Sequence, residues 1–285
     1  GFHWSIGFES LFNQFESPLN SEGSDSPGDS KYFYDSSIIK YFGFTNRLYV
    51  ETLFREEFAF GIGLEHKKLI IRSRATILES GDFEYFDDAN YFNVYSFLKL
   101  DSRDHVYFPT KGFFFDGNLT LYLDDSTKRY TEKHKFFYTV KSDLGYTFSL
   151  NKLLSISFGA SLGALVNEPN RYSFSFLLGG YGSQNINNST PLIGYSALDI
   201  FGFSFLKTTV GMDFSLSKNH YLRLKGNIAT VSDKPFDAHE WSEKRYSGYG
   251  VGYGINSFLG PIELTYSFSP ETKSPLWYFN LGWSF

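Results

Sequence analysis

Histidine, serine and cysteine are the residues from which a zinc site or a nucleophilic catalytic site would be built. The six histidines are scattered along the chain, and no two of them have the HxxxH or HExxH spacing that holds zinc. The motif GxSxG, which carries the nucleophile of many serine hydrolases, does not occur. There is no cysteine, so thiolate ligands and nucleophiles are excluded. We therefore predict that these 285 residues hold no catalytic constellation, no metal site and no cofactor.

Two further patterns would allow ligand binding by composition. Residues 22–29 are acidic enough for Ca²⁺, but they lack the ligand spacing of a calcium loop, so a solvated loop is favoured. The GxG repeats between residues 248 and 254 are similar to a phosphate-binding loop, but no helix start follows them. Glycines at every second position of one strand face explain these repeats better.

Charged residues occupy alternate positions in several segments. A soluble sheet could not bury them in its core, whereas a water-filled lumen can hold them. Two interpretations stay open: a salt-bridge network that holds a plugging loop, which we favour, and a polar conduit for a passenger or solute. The predicted lumen charges are Arg72, Arg74, Lys99, Asp101, Lys141, Asp143, Arg223 and Lys225.

The segments that carry these charges are predicted to be strands. Residues 276–285 read LWYFNLGWSF, with a large apolar residue at every second position, so these groups share one face of a strand. In a membrane barrel that face meets lipid, and the other face lines the lumen. The sequence has no run of 18 apolar residues that would form a transmembrane helix. It predicts an all-β fold, a transmembrane antiparallel up-and-down β-barrel, in a single domain over residues 1–285.

The alternation recurs in fourteen segments, and 14–16 strands are expected. Short connections are expected on the periplasmic side and long ones outside, so the last strand runs to the periplasm and pairs with the first. The short connections are predicted near residues 43–46, 65–68, 101–109, 150–152, 217–219 and 259–260. The predicted strands are 2–11, 32–43, 46–55, 57–66, 68–78, 91–101, 112–124, 135–149, 152–165, 203–216, 220–231, 246–258, 260–268 and 276–285.

The link at residues 100–112, LDSRDHVYFPTKG, carries a specific pattern between two strands. Pro109 cannot donate to a sheet ladder and Gly112 allows close backbone approach, which indicates a bulged turn. The segment resembles the D-x-x-D…F-P-x-x-G turn of the outer membrane protein 85 superfamily. The resemblance implies an integral barrel of the Gram-negative outer membrane, preceded by periplasmic POTRA domains. The matching residues are Asp101, Arg103, Asp104, Phe108, Pro109 and Gly112.

The long segment 166–202 resembles the superfamily loop that folds back into the barrel. In the family, a Gly-Gly is followed by V-R-G-Y or V-R-G-F, and the arginine pairs with an acidic residue of the wall. Here Ile193 stands at the arginine position, and strand 220–231 carries no acidic residue. This departure favours an anchor over an insertase or a two-partner-secretion transporter. The matching loop residues are Gly179, Gly180, Pro191, Gly194 and Tyr195.

Residues 57–285 look most like the barrel of patatin-like (type Vd secretion) proteins, through GIGLEHKKL, the 100–112 turn and the variant loop. That resemblance implies a translocator or anchor that holds or exports an upstream patatin-like phospholipase domain. The hydrolase would lie upstream of Gly1, which we do not expect to be the natural start. The alternatives are an assembly factor or insertase, and a porin-like channel.

The same reading predicts the partners. They are outer-membrane lipid and lipopolysaccharide, the barrel-assembly machinery during insertion, and upstream domains of the same polypeptide; a homodimer stays open. Trp283 and Phe285 would form the terminal assembly signal that the superfamily uses. The net charge of −5 argues against a nucleic-acid partner.

Overall fold

The computed structural model describes residues 3–19, 37–55, 57–74, 84–125, 136–167, 172–181, 188–235 and 238–282. Within them, twelve strands form one antiparallel sheet in which each strand pairs with the next along the chain. Its strands are β1 (His3–Leu19), β2 (Ser37–Phe54), β3 (Phe58–Arg74), β4 (Glu84–Asp101), β5 (Gly112–Asp125), β6 (Phe137–Ser149), β7 (Leu154–Val166), β11 (Ser204–Ser217), β12 (His220–Ser232), β13 (Arg245–Ser257), β14 (Gly260–Phe268) and β15 (Leu276–Leu281).

Between β7 and β11 the chain forms a separate small unit. It contains a 3₁₀ turn (Tyr172–Phe174) and three short strands, β8 (Phe176–Leu178), β9 (Ser189–Thr190) and β10 (Ile200–Gly202), which pair in the order β10-β8-β9. A six-residue helix, α1 (Ala238–Glu243), lies between β12 and β13. No helix in the described part of the chain is long and apolar enough to cross a bilayer.

The predicted alternation of faces is confirmed. On β1, Trp4, Ile6 and Phe8 are 70%, 78% and 69% exposed, while the residues between them are half-buried on the other face. On β15, Trp277 and Phe279 are 66% and 68% exposed. A sheet of large apolar residues on one side and polar or small residues on the other is the pattern of a membrane barrel. The all-β fold follows from this strand periodicity.

The predicted strand boundaries are wrong at two places. Residues 43–46 and 65–68 were expected to be turns, but they lie inside β2 and β3, which pair continuously along 17 residues. β2 instead ends at Phe54 and β3 begins at Phe58. The charges of Arg47 and Glu65 are typical of turns, which is why turns were predicted beside them. In the structure these two residues form an ion pair between β2 and β3, with Arg47 Nε and Glu65 Oε2 2.7 Å apart. Two predicted strand pairs therefore merge into single long strands, and fourteen become twelve.

Four connections have two to four residues: those between β2 and β3, β6 and β7, β11 and β12, and β13 and β14. The β4–β5 connection has ten residues, more than the nine between β3 and β4 or the seven between β14 and β15, so the predicted alternation of short and long connections holds only in part. Short turns mark the periplasmic end of an outer-membrane barrel. β1 to β4 have 17 or 18 residues, more than the ~10 that a tilted strand needs to cross a bilayer, so this part of the wall continues beyond the membrane.

The first and last strands form the two edges of the described sheet. β1 has 17 residues and β15 has six. Pairing between these strands stays a prediction. The proposed assembly signal, Trp283 and Phe285, lies outside the described residues.

Candidate functional site: the filled lumen

The described part of the segment between β7 and β11, residues 172–181 and 188–203, packs against the inner face of the sheet, and we call it the inward loop. Most of its large apolar side chains are buried, with Phe201 as an exposed exception. The Phe174 ring lies 4.9 Å, 4.7 Å and 4.9 Å from the rings of Tyr91, Tyr122 and Phe137, which project from three neighbouring wall strands. The apolar and aromatic loop residues at 2% exposure or less are Phe174, Phe176, Leu178, Leu192 and Tyr195.

This burial makes the inward loop part of the hydrophobic core. Each such side chain contributes ~1.5–3 kcal/mol when fully buried, so the five together stabilise the seated loop by roughly 10 kcal/mol as an upper estimate. The core that it forms with the wall lies towards the ends of the strands opposite the short turns. Expelling the loop into water would expose all of it at once.

Glycines give the loop its path. Gly179 and Gly194 have φ angles of 135° and 88°, which side chains with a Cβ rarely adopt. A Cβ at Gly179 would lie 2.0 Å from the Ser196 carbonyl oxygen. The Gly180 amide donates to the Tyr195 carbonyl at 2.9 Å, so the structure brings the two loop motifs predicted from sequence into direct contact.

Two wall lysines bind the backbone of the loop. Lys141 Nζ on β6 donates to the Ser189 carbonyl at 2.8 Å, and Lys207 Nζ on β11 donates to the Pro191 carbonyl at 3.1 Å. Asp143 attracts both ammonium groups. The sequence identified Lys141 and Asp143 as inward-facing but missed Lys207, which has the same strand parity as Asp213.

A charged cluster lies beyond the loop towards the periplasm. Arg223 on β12 binds Asp213 of β11 through two hydrogen bonds of 2.8 Å and 3.1 Å, and Glu263 of β14 at 3.0 Å. Tyr181 of the inward loop donates from its hydroxyl to Glu263 at 2.7 Å and accepts from Lys225. We call these five residues the lumen cluster.

The lumen cluster alters one expectation from sequence. Strand 220–231 does lack an acidic residue, but the adjacent strand β11 supplies Asp213, and β14, two strands away, supplies Glu263. Both are 11% exposed or less at the side chain and paired with the cation, as buried charges must be. Their position at inward parity could have revealed them, because the same alternation identified Arg223 and Lys225.

The turn between β4 and β5 closes onto this cluster from the periplasmic side. The Asp104 carboxylate accepts from the Thr110 and Lys111 amides at 2.9 Å and 3.2 Å, and from the Thr110 hydroxyl. Partial burial raises the pKa of the Asp104 carboxyl, but these hydrogen bonds outweigh it and hold the pKa below its usual range. Gly112, at φ 120°, would place a Cβ 2.5 Å from the Ser102 carbonyl oxygen.

Phe108 is the residue of this turn that enters the lumen. It is 4% exposed and stacks on Tyr221 with a ring separation of 4.4 Å and an angle of 6°. The Arg223 guanidinium lies 4.9 Å from its ring centre. Asp101 and Arg103 pair at 2.7 Å at the base of the turn. Pro109, next to Phe108, lines the cavity at this mouth.

The glycines of the GxG repeats leave space for the inward loop and for Phe108 of the β4–β5 turn. A Cβ at Gly248 would lie 1.7 Å from the Ile193 carbonyl oxygen of the inward loop, and one at Gly254 would lie 2.6 Å from the Phe108 ring. Both glycines are buried on the inward face of β13. The predicted position of these glycines on the inward face of a strand is confirmed, and there they allow close packing between the wall and both segments.

The model of the OMP85 superfamily matches residues 1–285, the whole chain. The chain belongs to the OMP85 superfamily. It is an integral β-barrel of the Gram-negative outer membrane. No match was found among curated proteins.

Two solved structures of superfamily barrels have a similar fold. BamA from Haemophilus ducreyi lacking POTRA domains 1-3 is 14% identical, with a TM-score of 0.61 over 98% of this chain and 57% of that one. CdiB from Escherichia coli is also 14% identical, with a TM-score of 0.58 over 98% of this chain and 49% of that one. The chain thus spans about half the length of these OMP85 structures.

This OMP85 barrel has a second charged cluster on β1 to β4, which sequence reasoning missed because it placed turns there. Glu65 is 2% exposed and accepts from Arg47 at 2.7 Å and from Asn93 at 2.8 Å. Lys67 lies 3.3 Å from the same carboxylate, and Arg47 also reaches Glu9 at 3.2 Å. These charges are fully paired within the wall and do not touch the inward loop in the contacts that the structure describes.

The remaining predicted lumen charges do not belong to either charged cluster. Lys99 faces inward and is exposed, with Nζ 5.7 Å from the Phe97 ring. Arg72 was expected to face inward, but it shares the parity of the outward residues Ile62 and Leu64. The error follows from the turn predicted at residues 65–68. Because β3 continues through these residues, the alternation of faces runs on from Ile62 and Leu64 to Arg72. The side chain of Arg74 lies outside the described part.

Metal binding gains no support from the geometry. The described ranges contain no group of three or more His, Asp or Glu residues arranged to hold a metal ion. The acidic residues 22–29 lie outside those ranges.

Proposed function

We propose that this OMP85 barrel is an outer-membrane anchor with a closed lumen, and that it holds or exports an upstream patatin-like phospholipase domain of the same polypeptide. The observation that carries the proposal is the inward loop, which is built into the hydrophobic core of the barrel. An anchor needs a stable barrel and no open pore. A porin-like channel would need the lumen that the loop occupies.

The loop is held by two kinds of interaction. Its apolar side chains pack against the wall, and Lys141, Lys207 and the lumen cluster bind its polar groups. A conduit for an unfolded passenger would have to break both sets together. Among the loop residues that support a patatin-like branch, Gly179 and Gly194 have the positive φ angles that the seated conformation requires.

Assembly of other outer-membrane proteins is the second candidate function. The unequal edges favour it: β1 offers 17 residues, whereas the described part of β15 has six. Unpaired edge groups of a strand form a template for another strand. An insertase would use that edge and leave the lumen closed.

The test uses the full-length polypeptide in its own outer membrane. If the barrel is an anchor, replacing residues 1–285 by a stop codon should release the upstream domain from the membrane fraction, while the amounts of other outer-membrane proteins stay unchanged. Loss of other barrel proteins in the same strain would instead support the assembly function. Retention of the upstream domain in the membrane without the barrel would overturn the anchor.

A further inference from the structure

A groove of about 480 Å³ lies on the outward face of β11 to β14, where the barrel meets lipid. Strand pairing arranges its outward residues in two rows that cross all four strands. The upper row contains Val210, Gly226, Tyr249 and Phe268, and the lower row contains Met212, Leu224, Val251 and Tyr266. Every position except Gly226 carries a large apolar or aromatic side chain, so the groove opens where this glycine presents none.

Nothing within the chain requires a glycine at position 226. The pairing of β12 with both neighbouring strands is continuous there, so Gly226 forms no bulge, and its φ angle is not positive. A Cβ would meet nothing closer than the Tyr249 ring at 3.6 Å, whereas one at Gly248 would clash with the inward loop. A glycine in mid-strand lowers stability, and it often marks a place where a ligand approaches closely.

The height of the groove in the membrane indicates which leaflet it faces. Tyr249 lies eight residues before Ser257, and Phe268 lies eight residues after Gly260, at the periplasmic ends of β13 and β14. At ~3.4 Å per residue and a tilt of ~45°, the upper row is roughly 19 Å above the periplasmic turn. The apolar band of an outer-membrane barrel is ~25 Å tall, so the upper row of the groove faces the external leaflet.

Arg245 lies above the groove at the level of the lipid headgroups. It is exposed on the same face as Tyr249 and lies twelve residues before Ser257, roughly 29 Å above the turn by the same measure. It forms no ion pair with a residue that the structure describes, whereas the adjacent Lys244 pairs with Asp233 at 3.5 Å. A guanidinium in this position can bind a phosphate through two parallel hydrogen bonds.

One acidic group borders the path between the cation and the groove. Glu271 accepts a hydrogen bond at 2.9 Å from Ser247, which lies between Arg245 and Tyr249 on this face. The same carboxylate accepts from Tyr195 of the inward loop at 2.9 Å. Its charge disfavours a phosphate below the level of Arg245, so an anionic headgroup is confined to that level and only its apolar part extends into the groove.

We propose that this groove binds lipopolysaccharide, with one acyl chain beside Gly226 and a phosphate of the lipid A sugar on Arg245. Lipopolysaccharide forms the external leaflet of this membrane and carries both groups. Phospholipid lies in the periplasmic leaflet, on the far side of the bilayer from Arg245. The site goes beyond the proposed function, because an anchor and an assembly factor would each accept such a lipid.

The lipid that stays with the purified chain tests the proposal. The full-length polypeptide is extracted from outer membranes in a mild detergent and washed, and hydroxy fatty acids, which mark lipopolysaccharide, are measured per chain. Gly226→Leu fills the groove and Arg245→Gln removes the cation, so each should retain about tenfold less than the native chain. Ala160→Leu, an outward position on β7, and Arg55→Gln, at a periplasmic turn, are matched controls that should retain the native amount.

The gel mobility of unheated samples shows whether each variant is folded. If Gly226→Leu does not fold, Arg245→Gln decides alone, because its side chain is exposed. Equal retention by the native chain and the folded groove variants would overturn the proposal, as would a native chain without hydroxy fatty acids. It would also be overturned if the native chain retained phospholipid and Gly226→Leu released it, because the groove would then hold a phospholipid.

Discussion

The Arg223 guanidinium lies 4.9 Å from the centre of the Phe108 ring and at the same time binds Asp213 and Glu263. Phe108 belongs to a periplasmic turn, and Glu263 accepts a hydrogen bond from Tyr181 of the inward loop. One guanidinium thus connects the two segments that close the lumen from opposite ends. A change at this position should affect both closures.

Phe108→Ala should open the periplasmic mouth. The side chain is 4% exposed and stacks on Tyr221, so its removal leaves a cavity and should destabilise the barrel by ~3–5 kcal/mol. Planar-bilayer recordings should show higher conductance than the native chain, and the urea midpoint should fall. Val106→Ala, an exposed position in the same turn, is the control and should change neither. Native conductance in Phe108→Ala would mean that the ring does not close the mouth.

Arg223→Met should lower the stability of the barrel more than the removal of an unpaired charge does. It leaves the Asp213 carboxylate buried without its cation and Glu263 with Lys225 alone, 3.7 Å away, which costs about 3–5 kcal/mol. Arg223→Lys should recover little, because an ammonium cannot reproduce the paired hydrogen bonds to Asp213. Lys99→Met, at an exposed inward position, is the control. Folded and unfolded barrels migrate differently in gels, so samples heated to a series of temperatures give the midpoint at which each variant unfolds. Equal midpoints for Arg223→Met and Lys99→Met would contradict the argument.

The outward faces could be predicted because their signal is local. Period-two alternation around Trp277 needs only the neighbouring residues. The inward loop could be expected only from its resemblance to the superfamily loop, and the structure adds that Gly179 and Gly194 have φ angles that favour glycine. Such signals do not depend on which strands lie side by side.

The partners of the lumen charges depend on strand register, which the sequence does not state. Arg223 meets Glu263 only because β13 sets β12 and β14 on either side of it with a fixed offset. Arg47 and Glu65 looked like turn residues for the same reason: their ion pair exists only once β2 and β3 are paired. From sequence alone, a charged residue in the middle of a strand cannot be distinguished from one in a turn until the pairing of the strands is known.

Gly248→Ala should displace the inward loop. Its Cβ would lie 1.7 Å from the Ile193 carbonyl oxygen, a backbone atom that cannot rotate away. Gly226→Ala, on the adjacent strand, is a matched control, because its Cβ would meet nothing closer than 3.6 Å. We expect Gly248→Ala to lower the thermal midpoint and raise conductance, while Gly226→Ala behaves like the native chain. Similar behaviour of the two variants would show that Ile193 does not pack against β13 as described.

Glu271 ties the external β14–β15 loop to the inward loop, and this tie should depend on pH. Its carboxylate accepts from Ser247 Oγ at 2.9 Å, Ser269 Oγ at 2.6 Å and Tyr195 OH at 2.9 Å. Partial burial raises the pKa of Glu271, but hydrogen bonds from Ser269 and Ser247 outweigh it, so the pKa lies below its ordinary value of 4.5.

A lowered carboxyl pKa stabilises the folded state when the group is ionised. The contribution of Glu271 is therefore complete above its unfolded value near pH 4.5 and is lost as the pH falls through the lower folded value. Glu271→Gln removes this dependence. Thermal midpoints of the native chain and Glu271→Gln should differ by a constant amount at neutral pH and converge as the pH falls below 4.5. Glu57→Gln, on an exposed periplasmic turn, should match the native chain at each pH, and a Glu271→Gln difference that persists in acid would show that ionisation of Glu271 does not hold the loop.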